Sequence, residues 1–195
     1  MRYLLLFLML LPVSAYAFGF GSVMGVGEGG GATPEYIIGY NTDDLTGTSN
    51  ATDRSLGNAQ PTTMTDSTGG TLTKICVRVE AVGVDPGIRM AVYVGGSYGN
   101  PSGQDLVEAV VGTASVGVVC IDTAGTETLL PDQLYWVGIV LESSNTEIGY
   151  TDGTATDDRV YRVVGVTYAT GFAATCPTSG LNNNSNIGVW AVYEH

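Results

Sequence analysis

The chain has 195 residues, with 19 acidic side chains against 7 basic ones and a net charge of −12. This length suits one domain with a sizeable core. The acidic balance repels phosphate backbones and anionic bilayers, so nucleic acid is excluded as a natural partner and a charged membrane surface is disfavoured.

Arg2 precedes an apolar run, and Ala15-Tyr16-Ala17 follows it with small residues where signal peptidase reads. Residues 1–17 are therefore expected to be a secretory signal peptide. The run is shorter than the roughly 20 residues of a spanning helix. No later stretch is long and apolar enough to span, so a secreted or extracellular protein without a membrane span is expected once the signal is cleaved. Removal of Arg2 makes the exported chain more acidic still. Residues 18–34, "FGFGSVMGVGEGGGATP", are glycine-dense and lack an apolar period, which predicts a flexible leader. A phosphate-cradling loop would need a preceding strand and a closing Lys-Ser/Thr, and neither is present.

From residue 35 to 195 the sequence predicts strands. The candidates are 36–40, 72–80, 88–94, 106–110, 115–122, 134–142, 147–150, 159–168 and 187–194. They are rich in valine, isoleucine, threonine and tyrosine, which suit a pleated surface. Turn clusters such as Asp85-Pro86-Gly87, Gly95-Gly96, Pro131-Asp132 and Thr151-Asp152-Gly153 separate them. No segment keeps a helical apolar period for three turns. The fold class that follows is all-β, an antiparallel β-sandwich.

Alternation assigns faces. Ile75, Val77 and Val79 fall on one side of their strand, with Lys74, Cys76 and Arg78 on the other. Ile88, Met90, Val92 and Val94 lie opposite Arg89, Ala91 and Tyr93. The run "LLPDQLYWVGIVLES" departs from this pattern. Tyr135, Val137, Ile139 and Leu141 form one apolar face, and Leu134, Trp136, Gly138 and Val140 form another. A strand apolar on both sides is expected at the centre of a sheet, its second face covered by a loop or a partner. Tyr135 is assigned to the core and Trp136 to the outer face.

Three cysteines remain, Cys76, Cys120 and Cys176. In an exported chain pairing is the default. Cys76 and Cys120 both fall in predicted strands, which makes a cross-strand bridge between them the expected pair and leaves Cys176 over. Zinc needs a ligand cluster that a single histidine, His195, does not supply. The acids of two polar loops, Asp43, Asp44 and Asp53 in one and Asp152, Asp157 and Asp158 in the other, have two readings. They are solvated loop residues, or oxygen ligands of a structural calcium ion. Apart from that calcium, no cofactor is expected. A serine or cysteine nucleophile would have to use His195 as its base, which leaves nucleophilic catalysis poorly supplied. Carboxylate pairs for glycoside hydrolysis stay open, without a distinctive motif.

The order of motifs carries a resemblance. "LTKICVRV" (72–79), "IRMAVYVGG" (88–96), "NPSGQDLV" (100–107), "LLPDQLYWVGIVL" (129–141) and "IGVWAVYE" (187–194) together resemble jelly-roll β-sandwich domains of secreted bacterial proteins, among them carbohydrate-binding-module-like and choice-of-anchor domains. Similar domains occur in phage fibres and other virion surface proteins. The resemblance implies a non-catalytic module for surface attachment or glycan binding, and it carries over no binding residues. Trp136, Trp190, Tyr93 and Tyr161 are the stacking candidates for a glycan. The second reading is a structural or adhesive subunit, such as a virion surface protein, that contacts a surface protein or further copies of itself through a sheet face. A hydrolase is the third.

Overall fold

The computed structural model describes residues 35–41, 47–49, 58–63, 68–96, 105–152, 160–163, 166–176, 180–183 and 185–195. The expected signal peptide (1–17) and leader (18–34) lie outside them. Residues Thr33–His195 form one compact unit.

The described residues fold without helix into fourteen strands: β1 (Glu35–Gly39), β2 (Gly47–Ser49), β3 (Asn58–Thr63), β4 (Gly70–Ala81), β5 (Gly87–Val94), β6 (Asp105–Thr113), β7 (Gly117–Asp122), β8 (Thr128–Leu129), β9 (Leu134–Leu141), β10 (Glu147–Asp152), β11 (Val160–Val163), β12 (Gly180–Asn183), β13 (Ser185–Ile187) and β14 (Val189–Glu194). They pair antiparallel into two sheets. Sheet A runs β1-β14-β4-β10-β13, with β2 on β10 and with β7 and β8 on β4. Sheet B runs β12-β11-β3-β9-β5-β6. The all-β antiparallel sandwich expected from the sequence is the fold found.

The inner faces supply the main core. Ile75, Val77 and Val79 of β4 and Val189, Ala191 and Tyr193 of β14 meet Ile88, Met90 and Val92 of β5 and Tyr135, Val137, Ile139 and Leu141 of β9. Alternation on a pleated strand explains most of this set. Leu72 needs a further device. Simple alternation puts it with Lys74, but the β14–β4 register shifts so that Val192 faces Lys74 while Tyr193 faces Leu72. Thr73 is the extra residue of this bulge, and its hydroxyl donates to the Val192 carbonyl at 3.3 Å. The bulge turns Leu72 inward, where it is fully buried.

The Pro131-Asp132 turn leads into β9. Asp132 sits at φ 57°, a left-handed conformation that aspartate tolerates better than most residues. β9 is central in sheet B, between β3 and β5. Its double apolar face follows from burial on both sides of the sheet. Its outer face forms a second, separate cluster in which Trp136, Val140, Ala91 and Tyr93 pack with Val166 and Cys176, and Leu106, Leu134 and Phe172 close its margin.

The strand predicted over 159–168 is shorter than expected. Its ladder runs from Val160 to Val163. From Val166 to Cys176 the chain forms turns and irregular backbone, not a strand, and contributes apolar side chains to the outer face of sheet B.

Candidate functional site

The three aromatic candidates whose side chains are described, Trp136, Trp190 and Tyr93, are positioned by the strands the sequence assigned them, yet they are covered. Trp136 does lie on the face of β9 opposite Tyr135. The expected exposure of that face is corrected: Trp136 is 0% exposed, in a buried cluster that includes Val166 and Cys176 and is bordered by Phe172. Tyr93 is buried in the same cluster, and its hydroxyl donates to the Ala173 carbonyl at 2.7 Å. Burial raises its ionisation well above the ordinary tyrosine range, and the neighbouring Cys176 pushes the same way. Trp190 lies on sheet A, opposite Cys76 on one side and Gly39 on the other. It is buried with Cys76 and Val192. Gly39 has φ +109°, and a Cβ there would stand 2.7 Å from the Val189 carbonyl oxygen and 2.8 Å from the Trp190 Cα. That close approach requires glycine. Tyr161 lies in β11 opposite Asn182, and its side chain is outside the described residues. Three of the four stacking candidates are therefore structural rings in this conformation.

Tyr135 is in the core, as expected, at 2% exposure. Its hydroxyl accepts a hydrogen bond from the Leu130 N–H at 2.7 Å and donates to the Leu130 carbonyl at 3.2 Å. The phenol thus closes the turn that starts β9. Burial raises its ionisation, and the Leu130 backbone bond partly offsets this.

Cys76 and Cys120 are bonded. They sit directly opposite each other on β4 and β7, with their Cα atoms 4.0 Å apart. The bridge pins β7 to the sheet. Cys176 is free and buried, and burial pushes its thiol up to about 11.

The calcium reading falls almost entirely outside the described residues. Asp43, Asp44, Asp53, Asp157 and Asp158 are not described, and of Asp152 only the backbone is, paired with Ser185. Among the described residues no three His, Cys, Asp or Glu side chains gather closely enough to hold a metal ion.

One aromatic group was missed from the sequence. Tyr36 and Tyr193 are cross-strand partners, and their rings stack with centroids 5.4 Å apart. His195 stands edge-on to Tyr36 at 4.5 Å and lies within hydrogen-bond distance of the Thr68 hydroxyl, with Nδ1 at 3.2 Å. Tyr193 is buried, whereas Tyr36 is 36% exposed, and His195 and Thr68 are exposed. Next to Tyr36 on β1, Glu35 pairs with Lys74 of β4 at 2.6 Å. The bond to Glu35 raises the Lys74 pKa. This end of sheet A combines an open ring with hydroxyl, imidazole and charged groups, a combination suited to stacking and hydrogen bonding with a polar ligand. The pairing of β14 with both β1 and β4 assembles it, and residues 36 and 195 are too far apart in sequence for a local motif to reveal that.

Apolar side chains reach solvent elsewhere. On β6, β7 and the link between them, Val111 is 53%, Val116 70% and Val118 53% exposed.

No family model and no curated protein sequence matches the chain. Among solved structures it is similar to one described as the cysteine protease and lectin-like domains of a surface layer associated protein of Clostridium difficile, at 11% identity and a TM-score of 0.47. The similarity covers 72% of this chain and 32% of that one, so the chain spans about a third of that protein's length.

Proposed function

We propose that the chain works outside the cell as a non-catalytic β-sandwich module that attaches to a surface, through a glycan or a surface protein. The observation that carries the extracellular part is the Cys76–Cys120 bond, since such bridges form and persist in oxidising compartments. Export through residues 1–17 agrees with it. Intact-mass analysis of the secreted protein is expected to give Phe18 as the first residue, and a retained Met1 would contradict export by cleavage.

The attachment part rests on the end of sheet A. With Trp136, Trp190 and Tyr93 buried, Tyr36 is the described aromatic most open to solvent, and it stands beside His195 and Thr68. A sugar stacks on such a ring while hydroxyls and imidazole satisfy its own hydroxyls. The test is a glycan-array screen of the exported chain, with Tyr36→Ala alongside. Binding that Tyr36→Ala weakens at least tenfold, with unchanged thermal stability, supports this site. Binding that is indifferent to Tyr36 contradicts it.

A second reading is a structural or adhesive subunit, as in a virion surface. It draws on Val111, Val116 and Val118, each more than half exposed on or beside edge strands. Its mark is self-association: a solution mass that is a multiple of the chain's favours this reading, and a monomer that binds glycan favours the first.

A further inference from the structure

We propose that residues 166–176 form a strap that opens separately from the sandwich and, in opening, uncovers Trp136 and Cys176 together. Sheet B is packed on its two faces by two distinct sets of side chains. Ile88, Met90, Val92, Tyr135, Val137, Ile139 and Leu141 belong to the inner core. Trp136, Val140, Ala91 and Tyr93 belong to the outer cluster, and only there do Val166, Phe172 and Cys176 pack. Lifting the strap therefore leaves the inner core and the β3–β9–β5–β6 ladder in place.

Among the described residues, the strap's polar attachments to the sheet are few and close together in sequence. Leu106 N–H donates to the Ala174 carbonyl at 2.8 Å, Thr175 bridges to Asp105, and the Tyr93 hydroxyl donates to the Ala173 carbonyl. The hydrogen bonds of its first half are internal. Gly171 N–H donates to the Thr167 carbonyl at 2.9 Å, and Thr167 and Thr170 exchange backbone-to-hydroxyl bonds at 3.0 and 3.1 Å. That half is braced internally and rests on the sheet through Val166 in the outer cluster, through Tyr168 beside Gly87, and through the Arg89 guanidinium, 5.1 Å from the Tyr168 ring centroid. The disulfide lies in sheet A and does not tie the strap down. Segments held by few backbone bonds and one apolar cluster belong to the low-stability end of a fold, where local opening precedes global unfolding.

Cys176 makes the opening measurable. It is buried, and the other two cysteines are bonded to each other. Iodoacetamide therefore reports on Cys176 alone, scored by intact mass while circular dichroism follows the sandwich across a urea series. The strap predicts alkylation in urea too dilute to change the strand signal, with a shallower urea dependence than global unfolding. Tyr93→Phe removes the hydroxyl latch and is expected to speed alkylation about fivefold, without moving the circular dichroism midpoint in proportion. Phe172→Ala, which removes the ring lying 6.2 Å from that of Tyr93, is expected to act in the same direction. Alkylation that tracks the loss of strand signal in wild type and both variants would overturn the proposal.

Discussion

Replacing Trp136 by alanine is expected to cost as much as a core truncation, although the residue lies on the outer face of its sheet. The indole is 0% exposed, clustered with Ala91, Tyr93 and Val140 of its own sheet face and with Val166, Phe172 and Cys176 of the 166–176 segment. Removing roughly 200 Å² of such a side chain from water is worth about 5 kcal/mol at ~25 cal/mol per Å². Tryptophan-to-alanine changes in packed sites cost ~3–5 kcal/mol. One wall here is an irregular segment that can settle into part of the vacated space, so the expected loss is about 3–4 kcal/mol. Against a whole margin of ~5–15 kcal/mol for a domain of this kind, that loss is large. Urea titration followed by circular dichroism measures it, with Trp136→Phe as the milder companion. A loss below about 1 kcal/mol, the range of ordinary surface substitutions, would refute the burial of the indole and with it the covering role of 166–176.

Tyr135→Phe removes the hydroxyl that bonds both Leu130 backbone groups and is expected to cost about 1–2 kcal/mol in the same titration; no loss would show that the turn before β9 does not need it. Changing Cys76 and Cys120 together to alanine is expected to lower stability by about 4 kcal/mol, from the loop-entropy relation for a sequence separation of 44. Stability is also expected to fall at alkaline pH. Folded Cys176 keeps its proton to about pH 11 against an ordinary thiol value of 9.0, so its contribution is full below pH 9 and is lost as pH rises through 11. Tyr93 shifts in the same direction, and Cys176→Ala should flatten the decline between pH 9 and 11 when melting temperature is followed.

The nine strands expected from the sequence all have counterparts, because β-branched alternation between glycine, proline and aspartate turns is a local signal. The shortest and most polar elements escaped. β2 and β8 are three and two residues long, β3 carries a proline, and β12 reads "GLNN"; each is held by the ladder that a neighbouring strand offers it. The Cys76–Cys120 pair was legible because both residues fell in predicted strands.

The candidate site was much less legible. The two-faced apolarity of β9 correctly implied a covering layer, but the sequence did not reveal that 166–176 supplies it and buries Trp136. Bulges defeat simple alternation, as Thr73 does for Leu72. Tyr36, Tyr193 and His195 meet only through the pairing of the first strand with the last, a non-local contact that leaves no mark in either segment.

The central claim is attachment without turnover, and it is tested most directly by titrating the fluorescently labelled exported chain onto isolated surface material of the source cell while assaying the supernatant for released sugars and peptides. The account predicts saturable binding, weakened at least tenfold by Tyr36→Ala, with nothing released. Absence of saturable binding, or release of soluble fragments in step with added protein, would contradict it.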